Sequence, residues 1–187
     1  MSWKDRLLEI ARETGAFQTG EFTFSSGSRR KYYFDGRVLT LHPEALWHIT
    51  QWIWRHLPND IQAIGGPTLG ADAAVGAIVY MAYNRGGPSI TGFLVRREPK
   101  THGTLRMIEG NLPPGSKVAL FDDTITTGKS LLSAIKVVEE RGCKVAIILT
   151  LADWQEGGSG KLKEMGYRFE ALFNLDPLRG ITIAKVE

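Results

Sequence analysis

"VALFDDTITTGKS", residues 118–130, runs from four apolar residues into two adjacent acids, then into hydroxyls around a glycine. A continuous apolar run bounded by a turn reads as a strand buried on both faces, the kind found in a parallel sheet. A helix is expected to follow over 129–141. The closing Gly128-Lys129-Ser130 invites a nucleoside-triphosphate loop, but that motif needs a glycine five positions before its final one. Asp123 stands there instead. What remains is a strand, a short Thr/Gly turn and a helix N-terminus. Free N–H groups and the helix dipole favour an anion at such a place, and Thr126, Thr127 and Ser130 add hydroxyl donors. A monophosphate fits so small a loop better than a triphosphate.

Two acids beside a phosphate cradle must serve something other than the phosphate. Carboxylates accept hydrogen bonds from sugar hydroxyls, and they stabilise positive charge that develops on a sugar during reaction. The plainer alternative is that Asp122 and Asp123 only cap the loop and helix.

Outward from this stretch the chain alternates. "IQAIG" (61–65), "SITGFLV" (89–95), "KVALF" (117–121), "KVAIILTL" (144–151) and "FEALFNL" (169–175) read as strands. Helices are expected at 71–83, 129–141 and 160–165, with "RREPKTHGTLRMIEG" (96–110) as a long polar loop. Alternation with continuous apolar strands means a parallel sheet covered on both faces, with ligands beyond the carboxyl ends of its strands. Upstream, Ser2 and Asp5 form a capping box for a helix over 2–14, with Leu7, Leu8, Ile10 and Ala11 on one face and Gly15 as its stop. Residues 20–40 read as an irregular hairpin. Pro43 opens a helix carrying Leu46, Ile49, Ile53 and Leu57. Its stripe of Trp47 and Trp54 suits core or a dimer surface better than a ligand box.

Composition sets bounds. The chain has 187 residues, 43% hydrophobic, which suits a single domain, 1–187, with its own core. A net charge of +3 does not argue for nucleic acid, so functional positive charge must be local. One cysteine, Cys143, rules out an internal disulfide and reads as packing. The N-terminus is charged from Lys4 onward, unlike a signal peptide, and no apolar run approaches the ~20 residues of a membrane helix. A soluble cytoplasmic protein is expected.

Hydrophobic strand, Asp122-Asp123, two residues, Thr126-Thr127-Gly128, then Ser130 resembles the 5-phosphoribosyl-1-pyrophosphate (PRPP) signature of type I phosphoribosyltransferases. The resemblance implies their α/β fold, a central parallel sheet with helices on both faces and a small N-terminal hood, here mainly 15–40. It implies that Asp122 and Asp123 hold two ribose hydroxyls, that Thr124, Ile125, Thr126, Thr127, Gly128, Lys129 and Ser130 wrap the 5-phosphate, and that Mg²⁺ reaches the site through PRPP, near the two acids. "GGPTLGAD" (65–72) resembles the pyrophosphate loop, in which Thr68, Leu69 and Gly70 offer backbone amides and the Thr68–Leu69 peptide is expected to be cis. "VRREPKTHGTLRMIEG" (95–110) resembles the mobile catalytic loop of orotate phosphoribosyltransferases, with Arg96, Arg97, Lys100 and His102 in its cationic places. By the same resemblance that loop, 96–110, serves the partner's site in a homodimer.

"FTFSSGSRRKYYFDGR" (22–37) resembles their base-binding segment, which places Tyr33, Phe34 and Ser25, with Thr126, against the base. One position departs. The family carries an arginine that contacts orotate after the strand at 144–151; this chain reads "ADWQEGG" there, with Trp154 in that place, where its ring is expected to stack on the base. If Trp154 packs away instead, a cation among Arg29, Arg30 and Lys31, or backbone amides near Tyr33, is expected to hold the carboxylate. The implied activity joins orotate to PRPP, giving orotidine monophosphate and pyrophosphate in pyrimidine biosynthesis. The alternatives are the same transfer to another base, or a non-catalytic PRPP-binding regulator.

Overall fold

The structure is a computed structural model that describes residues 1–23, 27, 29–86, 90–98, 107–176 and 180–184. Its centre is a seven-stranded sheet built around β3 (Ala63–Pro67), β4 (Thr91–Val95), β6 (Lys117–Ile125), β7 (Lys144–Asp153) and β8 (Phe169–Asp176). These five strands are mutually parallel, and β5 (Ile108–Gly110) and β9 (Gly180–Ile183) close the two edges in antiparallel sense. The order across the sheet is β5-β4-β3-β6-β7-β8-β9. The expected parallel sheet is thus its core, and the edges make the whole sheet mixed. Both edge strands are too short, three and four residues, to announce themselves by alternation. β5 lies in the tail of the stretch expected to be loop.

Val118, Ala119, Leu120 and Phe121 are all fully buried, because β6 is covered on both faces. One face carries α1 (Trp3–Glu13), α3 (Pro43–His56) and α4 (Asp72–Asn84), packed through Leu7, Ile10, Ile49, Ile53 and Ile78. The other carries α5 (Lys129–Glu139) and α6 (Gly158–Glu164), packed through Leu131, Ala134, Val138 and Leu162. The Ser2/Asp5 capping box forms in both directions at α1. Trp47 is mostly exposed, while Trp54 lies under the Arg85 guanidinium, 5.3 Å from its ring. Cys143 is buried, as the packing reading expected. No helix among the described residues is long and apolar enough to cross a membrane.

The expected hairpin is a separate two-stranded sheet, β1 (Phe17–Thr23) against β2 (Arg29–Phe34), with an irregularity between Thr19 and Phe22. A short helix not read from the sequence, α2 (Gly36–Thr40), follows it. The Asp35 carboxylate accepts from the Arg37 N–H to start α2, and Asp35's own N–H bonds back to the Ala16 carbonyl. This ties the hairpin base to the end of α1.

Candidate active site

After β3 the chain moves to one side to form β4, then returns to the other side to form β6. The loops leaving β3 and β6 therefore part at their carboxyl ends, and a crevice opens between them, where ligands bind in open α/β sheets. A cleft of about 690 Å³ lies there. Its wall includes Tyr33 and Phe34 from β2, Thr68, Leu69 and Gly70 after β3, Arg96 and Arg97 after β4, and Asp122, Asp123, Thr124, Thr126 and Ser130. The loops read separately from the sequence converge on one place.

β6 runs four residues further than expected, to Ile125, so both acids sit within the strand's end rather than in the turn. Extended backbone sends neighbouring side chains to opposite sides. Here the Asp123 backbone N–H donates to Asp122 Oδ1 at 3.0 Å, and one oxygen of each carboxyl comes up against Gly70. Asp122 is only 7% exposed. Burial, then the charge of Asp123, raises its pKa well above the ordinary value of 3.8. Burial, then the charge of Asp35, raises Asp123 as well, while Arg37 opposes the rise. Two desolvated acids side by side hold a proton readily unless hydroxyl donors or a cation offset their charge.

Glycines wall this pair closely. A side-chain carbon on Gly70 would press on Asp122 Oδ1 and lie 2.6 Å from Asp123 Oδ1, and one on Gly36 would lie 2.7 Å from Asp123 Cβ. Only bare backbone fits beside the acids. The Thr68–Leu69 peptide is cis, and the Thr68 hydroxyl donates to Asp72 Oδ2 at 2.9 Å. Leu69 is left largely exposed at the cleft wall.

A smaller hollow of about 70 Å³ adjoins the acids, lined by Asp122, Thr124, Ile125, Thr126, Thr127, Gly128, Lys129, Ser130 and Leu131. Its size suits one phosphate group. Gly128 caps α5 in the left-handed region, at φ +78, and among the described residues no side-chain cap bonds to the start of α5. The N–H groups there and the helix dipole are therefore available to an anion. The turn is pinned from behind, where the Gly158 N–H donates to the Thr126 carbonyl at 3.0 Å. A side chain on Gly158 would strike that carbonyl and the Gly128 nitrogen, so the cradle rests backbone to backbone on the start of α6.

Arg96 pairs with Glu109 of β5 at 3.3 Å, and Arg97 is exposed on the cleft wall. Ser25, Lys100 and His102 lie outside the described residues. Trp154 is buried and is not among the residues lining the cleft. Its ring lies beneath the Arg30 guanidinium, 4.3 Å away, and Arg30 Nη2 bonds to Glu156 at 2.6 Å. Four residues of the site were not read from the sequence: Asp35, Gly36, Arg37 and Gly158. Asp35 alone left a signal, as an acid two residues before Arg37 at a helix start. The two glycines matter only through contacts with segments distant in the chain.

No protein-family model matches the chain. Curated relatives do. It is 38% identical over 93% of its length to an orotate phosphoribosyltransferase of a Nostoc species, spanning 84% of that protein. It is 37% identical over 97% of its length to the orotate phosphoribosyltransferase of Methanopyrus kandleri, spanning 95% of it. Among solved structures, the orotate phosphoribosyltransferase of Mycobacterium tuberculosis in complex with PRPP superposes with a TM-score of 0.70 at 28% identity, covering 92% of this chain and 89% of that one. With these relatives, and with its acid pair, small hollow and glycine-walled crevice on the same fold, the chain belongs to the orotate phosphoribosyltransferase family.

Proposed function

We propose that the protein transfers the phosphoribosyl group of PRPP to orotate, giving orotidine monophosphate and pyrophosphate. The observation that carries this reading is the meeting, in one cleft, of a desolvated acid pair, a phosphate-sized cradle and an arginine-bearing rim. The 5-phosphate sits in the hollow at the start of α5, which sets the ribose over Asp122 and Asp123. The carboxylates accept from the two ribose hydroxyls. The bond from the ribose carbon to pyrophosphate breaks with its electron pair leaving on the pyrophosphate, and a ring nitrogen of the base, its proton released, forms the new bond. Positive charge develops on the sugar between these events, directly above two acids, where electrostatic stabilisation is most effective. The amides of Thr68, Leu69 and Gly70, with Arg96 and Arg97, receive the departing charge. Lys100 and His102, outside the described residues, are proposed to complete that set from the loop 96–110.

No cluster of three metal-binding side chains occurs among the described residues. Two acids facing a phosphorylated sugar suit Mg²⁺, which commonly takes one or two carboxylates plus substrate oxygens. Bound in that way, it would supply Lewis-acid stabilisation of the leaving pyrophosphate. We read 1–187 as one domain, with 15–40 as the hood over the base, and the active form as a homodimer sharing the loop 96–110 in trans. Release of pyrophosphate from PRPP and Mg²⁺, measured against orotate, uracil and purine bases, tests the assignment. Orotate should give the highest kcat/KM; a preference for another base keeps the transfer and overturns the substrate, and no release with any base overturns both.

A further inference from the structure

This inference rests on the reading that the acceptor is a pyrimidine carboxylate. Such a substrate carries a fixed negative charge on its ring, and a carboxylate in a partly desolvated site is best held by a planar, permanently charged guanidinium. The arginines on the described cleft wall are Arg37, Arg96 and Arg97. Arg37 is bound by Asp35 through Nε at 2.9 Å and Nη2 at 2.8 Å. Arg96 and Arg97 stand at the end of β4, on one side of the acids, where the leaving group departs.

Arg30 stands on the other side. Along β2, Arg29 and Lys31 are exposed, whereas Arg30, Tyr32 and Phe34 turn inward, with Phe34 buried. The Arg30 side chain crosses to the end of β7, is 19% exposed, and lies over the Trp154 ring beside Glu156. The Trp154 backbone N–H donates to the Ile125 carbonyl at 2.9 Å, so the main chain at 154 is anchored one residue from Thr126, which lines the cleft. A cation of the hairpin is thereby fixed beside the strand end that carries Thr126, on the same strand as Tyr33 and Phe34.

We propose that Arg30 is the specificity-determining cation for the acceptor's carboxylate, with Trp154 as its platform and Glu156 as the counter-ion that the substrate displaces. Contact with the indole face holds the guanidinium in place and leaves its N–H donors to carboxylates. Glu156 shows that this guanidinium accepts a carboxylate partner in this orientation, and because Glu156 is partly exposed it can leave for solvent at small cost. A side chain at position 154 ends next to the Arg30 guanidinium, so an arginine placed there would bring its charge to the same spot.

The test compares wild type, Arg30→Gln, and the double variant Arg30→Gln with Trp154→Arg, by KM for orotate, KM for PRPP and inhibition by uracil, which lacks the carboxylate. Glutamine keeps a flat amide on the indole and loses the charge. Arg30→Gln should raise the orotate KM about tenfold to hundredfold, the range for a lost hydrogen bond to a charged group, with PRPP and uracil unaffected. The double variant should recover most of the orotate affinity. An unchanged orotate KM in Arg30→Gln overturns the proposal, as does a loss that weakens uracil and PRPP equally, which marks a merely structural residue. A wild-type chain that ignores orotate overturns the functional reading itself, a result distinct from orotate turnover that is indifferent to Arg30.

Discussion

Asp122 and Asp123 are legible in the sequence because two acids at the end of a wholly apolar strand have no structural use there. Their electrostatic state is not legible, since it comes first from burial, which the packing of other segments sets, and at Asp123 then from Asp35, with Arg37 opposing. That state has a consequence for stability. A carboxyl whose pKa is higher folded than unfolded contributes stability below the unfolded value and loses it as pH rises through the folded one. Both acids are raised. The ligand-free protein should therefore lose stability from this pair as pH climbs from about 3.8, the ordinary carboxylate value, to their raised values. Asp122→Asn removes the effect, so at neutral pH it should raise Tm by a few degrees, at ~2–4 °C per kcal/mol for a chain of this size, while lowering activity. Thermal melts across pH check this; a variant less stable than wild type at neutral pH contradicts it. Gly70→Ala acts on the same pair by geometry. Its methyl would push both carboxyls aside, and misplacement on the order of 1 Å costs roughly 10²-fold in rate. Steady-state kcat should fall accordingly, and a near-normal value would mean the pair tolerates displacement.

The long elements with strong periodicity were readable: α1 by its capping box, α3 by Pro43 and its apolar spacing, and the five core strands by their continuous apolar runs. The elements missed were α2, β5 and β9. Each spans five residues or fewer, too short for a period to show. The turn proposed to cradle the phosphate was read from its own residues, whereas the start of α6 behind it was not, and there the Gly158 N–H donates to the Thr126 carbonyl. Gly158→Ala should therefore act on the cradle without touching the ligand. Overpacking of this kind costs ~1–3 kcal/mol. The KM for PRPP should rise about tenfold, by the same conversion of energy to affinity, with a smaller change in kcat. A variant that folds normally and binds PRPP as wild type does would show that the cradle needs no support from α6.

At the scale of the molecule, the site follows from topology. Alternating strands and helices predict that ligand loops gather at one end of the sheet, and the strand order shows where, at the divergence of β3 and β6. The sequence could not supply that order, because pairing of non-consecutive strands leaves no local trace. The proposed sharing of the loop 96–110 between subunits is tested by mixing two inactive chains, Lys100→Ala and Asp123→Asn. After subunit exchange, one mixed site holds both intact parts, so activity should return to a fraction of wild type. A verified heterodimer that stays inactive would place the loop over its own subunit's site. Through the acid pair, this cleft is proposed to couple the fate of PRPP to that of orotate. The most direct measurement follows orotate absorbance and released pyrophosphate together, in wild type and in Asp123→Asn. Equal amounts of orotate consumed and pyrophosphate released are expected in wild type, with kcat lower by ~10²-fold or more in the variant. Pyrophosphate released without loss of orotate, or a variant as fast as wild type, would contradict it.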